Sequence, residues 1–308
     1  VTPRIALIGA GAWGRNLLRL AHQRGALAAV VDPDPIARSQ SPCQAFPSLR
    51  ELLRHGPSLD AALVASPART HFSASMEALD GNLDLLVEKP LTVSSAEGEA
   101  LVQRSTQRGR VAMVGHLLRY HPAIERLLDE VRRGSIGPPR ELHSWRRSPP
   151  GRGSDVSVLW ALAPHDLSLL LALEGGECLG VTGKVSWEQA SVQLRCGSGL
   201  RVNLRLSRCH PVKERRLWVL GPEGALSFDD LAPEAPLRFH RAGSLDGPGE
   251  PVAVPQREPL AAELDHFLEC IEHRRTPRTP ASDGLAVVRW LEAIEALGTA
   301  EDTRPPLL

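Results

Sequence analysis

The segment Gly9-Ala10-Gly11-Ala12-Trp13-Gly14 constrains this chain more than any other. It follows an apolar run, residues 4–8, that reads as a buried parallel strand. It opens a stretch with helical spacing over residues 13–24, in which Leu17, Leu18 and Ala21 share one side and Gly25 stands as the cap. A second apolar run, residues 26–31, ends at Asp32-Pro33-Asp34-Pro35. A glycine pattern alone is weak, but strand, glycine turn, helix, strand and acid within about 30 residues read as a dinucleotide site. Gly9 allows the tight turn, Gly11 lets the backbone approach a pyrophosphate, and Gly14 lets helix and strand pack closely. The helix start then aims N–H groups at the phosphates, with Ala12 and Trp13 in the same loop. Asp32 is expected to accept bonds from the adenosine ribose hydroxyls and to repel a 2′-phosphate, which favours NAD over NADP.

The alternation continues. Helices are expected over residues 48–54, 70–79 and 94–107, the last with Ser94 and Glu97 spaced as a capping box. Strands are expected over residues 60–65, 83–87 and 111–114. Such alternation predicts an α/β domain with a Rossmann-type, doubly wound parallel sheet over residues 1–118.

A chain of 308 residues outgrows one hydrophobic core, so a second domain is expected over residues 119–308. Its texture differs. Helices are expected over residues 124–132, 159–173, 260–272 and 283–297, with a polar loop over 147–157. Strands are expected over residues 141–146, 190–195, 200–206, 216–220 and 225–228, followed by loop and edge strand over 232–256. This is an α+β domain with a mostly antiparallel open sheet, suited to a substrate wall or a subunit interface.

Composition excludes several classes. Lys+Arg and Asp+Glu are equal at 36 each, which argues against a nucleic-acid or anionic-membrane partner. No apolar run approaches the ~20 residues of a membrane span. Five cysteines, Cys43, Cys178, Cys196, Cys209 and Cys270, are widely spaced and form no C-x-x-C pair, so neither a metal site nor a disulfide framework is expected. Scattered thiols and the lack of a signal-peptide pattern read as cytoplasmic.

Two further signals carry chemistry. Glu88-Lys89-Pro90 closes a strand on the edge where such sheets bind ligands, and a lysine there can stabilise a developing oxyanion. His165, in Trp160-Ala161-Leu162-Ala163-Pro164-His165-Asp166, can take and return a hydroxyl proton. Taken singly, a lysine after a strand is usually a solvated residue, and a histidine in an apolar helix is usually a satisfied core residue.

Together these residues resemble the glucose–fructose oxidoreductase / inositol dehydrogenase / rhizopine-catabolism family (Gfo/Idh/MocA). The resemblance covers nearly the whole chain. It runs through the glycine loop, residues 60–67 followed by His71, residues 85–91 with Glu88-Lys89-Pro90, residues 115–122, Pro164-His165-Asp166, His266-Phe267 and Asp283-Gly284-Leu285. It implies an NAD(H)-dependent oxidoreductase that moves a hydride to or from a sugar, with Lys89 and His165 catalytic. It adds Ser66, Pro67, His71, Glu88 and Lys89 to the cofactor set. It places Lys89, Arg119, Tyr120, Trp160 and His165 at the substrate, in a cleft between the domains. It also implies a cis peptide before Pro90 and, by analogy, a homo-oligomer formed through the C-terminal sheet. Residues 207–215, ending in Pro211-Val212-Lys213-Glu214-Arg215, and residues 221–230 are similar to members acting on sugar nucleotides. Lys213 and Arg215 read equally as a solvated strand face and as contacts to a nucleotide-sugar phosphate or an interface.

One departure is conspicuous. The family usually places an aspartate four residues before the histidine, and this chain has Ala161. Asp155 and Asp166 are the nearby acids, and Asp166, adjacent in a helix, should point elsewhere. Three outcomes follow: a dehydrogenase relying on Lys89 and His165, a related activity with different acid–base chemistry such as non-redox sugar chemistry with tightly bound NAD, or a catalytically impaired or regulatory homologue that binds NAD and sugar.

Overall fold

The computed structural model describes residues 2–151, 155–174 and 178–297. Six strands make the first sheet: β1 (Ile5–Ile8), β2 (Leu27–Val31), β3 (Gln44–Phe46), β4 (Ala61–Val64), β5 (Asp84–Glu88) and β6 (Ala112–Gly115). All pair in parallel, in the order β3-β2-β1-β4-β5-β6. β1, β4, β5 and β6 are buried along their whole length, which is why their apolar residues run on rather than alternate, with β5 bounded by Asp84 and Glu88. The connecting helices are α1 (Gly14–Gln23), α2 (Pro35–Ser39), α3 (Leu49–His55), α4 (His71–Asp80) and α5 (Ser95–Gln107). The order reverses direction between β1 and β4, the switch point where such sheets open a crevice for ligands.

Two short elements escape periodicity. α2 has five residues and starts because the Asp34 carboxylate accepts from the Ile36 amide, with Pro35 at the first position. β3 has three residues, too few to display a period. A correction concerns α5: Ser94 caps it in backbone position but its side chain makes no capping bond, so the expected capping box is absent.

In the second sheet the strands are β7 (Glu141–Arg147), β8 (Cys178–Val185), β9 (Gln189–Cys196), β10 (Arg201–Ser207), β11 (Glu214–Gly221), β12 (Gly224–Asp229), β13 (Leu237–Arg241) and β14 (Glu250–Pro251). Their order is β14-β13-β12-β11-β7-β10-β9-β8, with only β7 and β10 parallel. The expected α/β plus antiparallel α+β architecture is borne out. Burial alternates along β7: Leu142, Ser144 and Arg146 are buried, while His143, Trp145 and Arg147 are half-exposed. The remaining helices are α6 (Pro122–Arg132), α7 (Val158–Glu174), α8 (Pro259–His273) and α9 (Ala281–Glu295). α7 packs on β9 and β10. The polar loop expected over residues 147–157 includes residues 152–154, which lie outside the described residues.

The chain forms two compact units. One holds Val1–Leu117 together with Glu258–Arg289, and the other holds Leu118–Arg257 with the residues from Trp290 onward. α8 therefore belongs with the first sheet, tied by the bidentate pair of Arg24 with Asp265. Arg274, held at φ 51°, caps α8 and donates to the buried Asp84 carboxylate and to the Gly109 carbonyl. No helix among the described residues is long and apolar enough to cross a membrane.

Candidate active site

The glycine loop lies between β1 and α1. Gly9 has φ +94°, and a Cβ there would meet the Ser66 amide nitrogen at 2.6 Å. A Cβ on Gly14 would sit 2.0 Å from the Gly9 carbonyl oxygen. These two positions need glycine for the fold itself. Gly11 is different: a Cβ there would meet nothing within 4 Å, so its bareness leaves open space above the loop. α1 carries no capping side chain and no acid in its first turn. This arrangement fits a dinucleotide pyrophosphate.

Asp32, 8% exposed, anchors the loop from the end of β2. One carboxylate oxygen accepts from the Ala10 amide at 2.7 Å and the other from the Asp34 amide at 2.9 Å. The sequence assigned Asp32 to a ribose; the structure adds this loop-holding role.

Ser66, Glu88 and Gly9 stand at the carboxyl ends of the neighbouring strands β4, β5 and β1, so the topology gathers the expected cofactor residues on one edge. The Lys89–Pro90 peptide is cis, as the resemblance implied. The buried Glu88 carboxylate accepts from the indole N–H of Trp13 and from the Lys89 amide at 3.2 Å. It thus ties the glycine loop to the lysine. Burial pushes the Glu88 carboxyl up, against the downward pull of the Trp13 bond and the Lys89 ammonium. His71, 2% exposed, has its ring nitrogens on the Pro90 and Ser66 carbonyl oxygens. The Thr70 hydroxyl closes the turn onto Pro67.

Sequence reasoning missed Glu263. It lies on α8 at 0% exposure, and neither carboxylate oxygen has a hydrogen-bond partner among the described residues. Burial, and secondarily the Glu88 charge, holds its carboxyl well above the ordinary value. A signal was available: Leu260, Leu264, Phe267 and Ile271 define an apolar face, and Glu263 interrupts it.

In the second unit, His165 is half-buried on α7 and Arg119 donates to the Ser168 carbonyl one turn along that helix. Tyr120 and Trp160 are buried, at 1% and 5% exposure. Asp166 is engaged from β7. Its buried carboxylate takes the Ser144 hydroxyl at 2.9 Å and both oxygens take the Arg146 guanidinium at 2.8 and 2.9 Å. Burial pushes the Asp166 carboxyl up and Arg146 pulls it back. Asp155 is exposed.

A doubly wound parallel sheet with this glycine loop and acid, and a lysine on the same edge, defines an oxidoreductase of the NAD-binding Rossmann class. The model of that family, Gfo/Idh/MocA, described as "Oxidoreductase family, NAD-binding Rossmann fold", matches residues 3–116. The UDP-N-acetylglucosamine 3-dehydrogenase of Acidithiobacillus ferrooxidans is 32% identical over 94% of each chain. The scyllo-inositol 2-dehydrogenase (NAD(+)) of Bacillus subtilis is 25% identical over 72% of this chain and 70% of its own. The solved structure of the Acidithiobacillus enzyme superposes with TM-score 0.87 and 29% identity, covering 97% of this chain and 98% of that one. The chain belongs to the Gfo/Idh/MocA oxidoreductase family, and its cofactor is NAD.

Proposed function

We propose that this protein is an NAD(H)-dependent dehydrogenase or ketoreductase of a nucleotide-linked hexose, with a UDP-N-acetylhexosamine as the first substrate to try. The observation that carries the substrate class is the 94% mutual coverage with the UDP-N-acetylglucosamine 3-dehydrogenase, which spans both units. Bound NAD supplies a hydride acceptor or donor at its nicotinamide. Gly9, Gly11, Ala12, Trp13 and Gly14 hold the pyrophosphate. Asp32 meets the ribose and disfavours a 2′-phosphate, and Ser66, Pro67, His71 and Glu88 complete the wall. Lys89 stabilises the oxyanion that develops on the sugar, and His165 takes or returns the hydroxyl proton. Arg119, Tyr120 and Trp160 shape the sugar pocket. We infer further that the protein works in the cytoplasm and as a homo-oligomer.

The test begins with NADH and NADPH titrations read by tryptophan emission, since Trp13 stands in the loop with 41% exposure. Tighter binding of NADH supports the Asp32 role, and equal binding removes it. Lys89→Ala should then lower turnover of the nucleotide sugar by about 100-fold or more while leaving NADH affinity within about threefold. Strong turnover in that variant removes Lys89 from the chemistry.

Ala161 favours a second reading, a homologue that binds NAD and sugar but turns over poorly. The engagement of Asp166 with Arg146 sharpens it, because that carboxylate is already committed to a guanidinium. Ala161→Asp discriminates: a gain of about tenfold or more supports the impaired reading. An unchanged rate beside good wild-type activity supports the enzyme that dispenses with the couple.

A further inference from the structure

His71 opens α4 and is 2% exposed. Its Nδ1 lies 2.7 Å from the Pro90 carbonyl oxygen and its Nε2 lies 2.9 Å from the Ser66 carbonyl oxygen. A carbonyl oxygen only accepts. A neutral imidazole carries one N–H and one lone pair, so it would satisfy one carbonyl and aim its lone pair at the other. In the interior that repulsion is little screened. Only the cation donates at both ends. Burial and the positive end of the α4 dipole oppose the charge, and two charge-assisted hydrogen bonds offset them.

The two carbonyls belong to the two halves of the cofactor edge. Ser66 follows β4, and its amide packs so closely on Gly9 that a Cβ there would come within 2.6 Å. Pro90 follows Lys89 directly. The phosphate loop thus rests on Ser66, Ser66 on His71, and His71 on the loop that carries the lysine. The charged groups on the segments that carry the two acceptors are Glu88, Lys89 and the exposed Arg69.

We propose that His71 is a buried imidazolium that clamps the Ser66 and Pro90 carbonyls together and so positions Lys89 relative to the dinucleotide loop. Its consequence for catalysis rests on the function proposed above; its charge and its clamping do not.

Two measurements on the substrate-free protein test it. In 15N-labelled wild type, the His71 ring signals, assigned by their loss in His71→Gln, should report two protonated nitrogens between about pH 6 and 8. A neutral tautomer at neutral pH overturns the proposal. By hydrogen exchange, peptides covering residues 65–71 and 86–93 should open at least about tenfold faster in His71→Gln, with β3 unchanged as the control for global unfolding. Unchanged exchange in both segments overturns the clamp. A wild-type protein that turns over no sugar counts against the function above, whereas these two readouts decide the clamp on their own.

Discussion

Two buried carboxyl groups in the first unit are treated differently by their surroundings. Glu88 has an indole N–H and an amide to receive its charge, whereas Glu263 has neither. A carboxylate in an apolar face is costly, and burial, then the Glu88 charge, raises the Glu263 carboxyl well above its ordinary value. The stability consequence has a definite sign. The folded chain keeps a proton that the unfolded chain releases above the ordinary carboxyl value of 4.5. Stability is therefore full below that value and falls as pH rises through the window up to the folded value. Glu263→Gln removes the penalty. The variant should match wild type in melting temperature near pH 5 and exceed it near pH 8. A wild-type advantage at pH 8 would mean that Glu263 is ionised and paired. The Arg146–Asp166 pair makes the opposite case. Both partners are buried, so Arg146→Met strands an anion and should destabilise by about 3–5 kcal/mol in denaturant titration.

The strand–glycine turn–helix element separates glycines needed by the fold from one needed by the ligand. Gly14→Ala drives a methyl into the Gly9 carbonyl and should lower both melting temperature and NADH affinity. Gly11→Ala meets nothing, so the fold should be unmoved while NADH affinity falls by about tenfold or more. A Gly11→Ala protein that binds NADH normally would place the pyrophosphate elsewhere. This element was almost wholly legible in the sequence, because buried parallel strands must be continuous apolar runs and a tight turn admits few residues. The same logic made the strand before Lys89 readable, whereas Lys89 itself was singled out by the resemblance to the family. What escaped was set by distant partners. The Ser94 side chain leaves its cap position unbonded although its spacing is ideal. His71 acquires both acceptors from loops 5 and 19 residues away, which no local pattern reveals. The gathering of Glu258–Arg289 with the first unit depends on long-range pairs such as Arg24 with Asp265.

The proposed homo-oligomer is a claim about the whole molecule, and it falls on the second sheet. One face of that sheet is buried through Leu142, Val192, Val202, Leu204 and Leu217. The other carries half-exposed aromatic rings among arginines. Trp145 stacks on His143 with centroids 5.9 Å apart, and Trp218 lies against His240 at 4.5 Å. Trp145 stands in register between Arg205 of β10 and Arg216 of β11. Tryptophan and arginine together are the residues most enriched at interface centres, and a stable contact needs roughly 800 Å² from each partner, an area that a broad sheet face can offer. Trp145→Lys would add a third cation between the two arginines and, in a self-complementary contact, oppose it to its own copies. In light scattering after size exclusion, wild type should show a multiple of the 33.4 kDa chain mass and Trp145→Lys a smaller species. The variant should keep its NADH affinity, since the substitution lies in the second unit and the dinucleotide loop in the first. A wild-type monomer would sink the oligomer outright. An unchanged oligomer in the variant would move the contact off this face, because a buried lysine between two arginines costs more than an apolar contact returns.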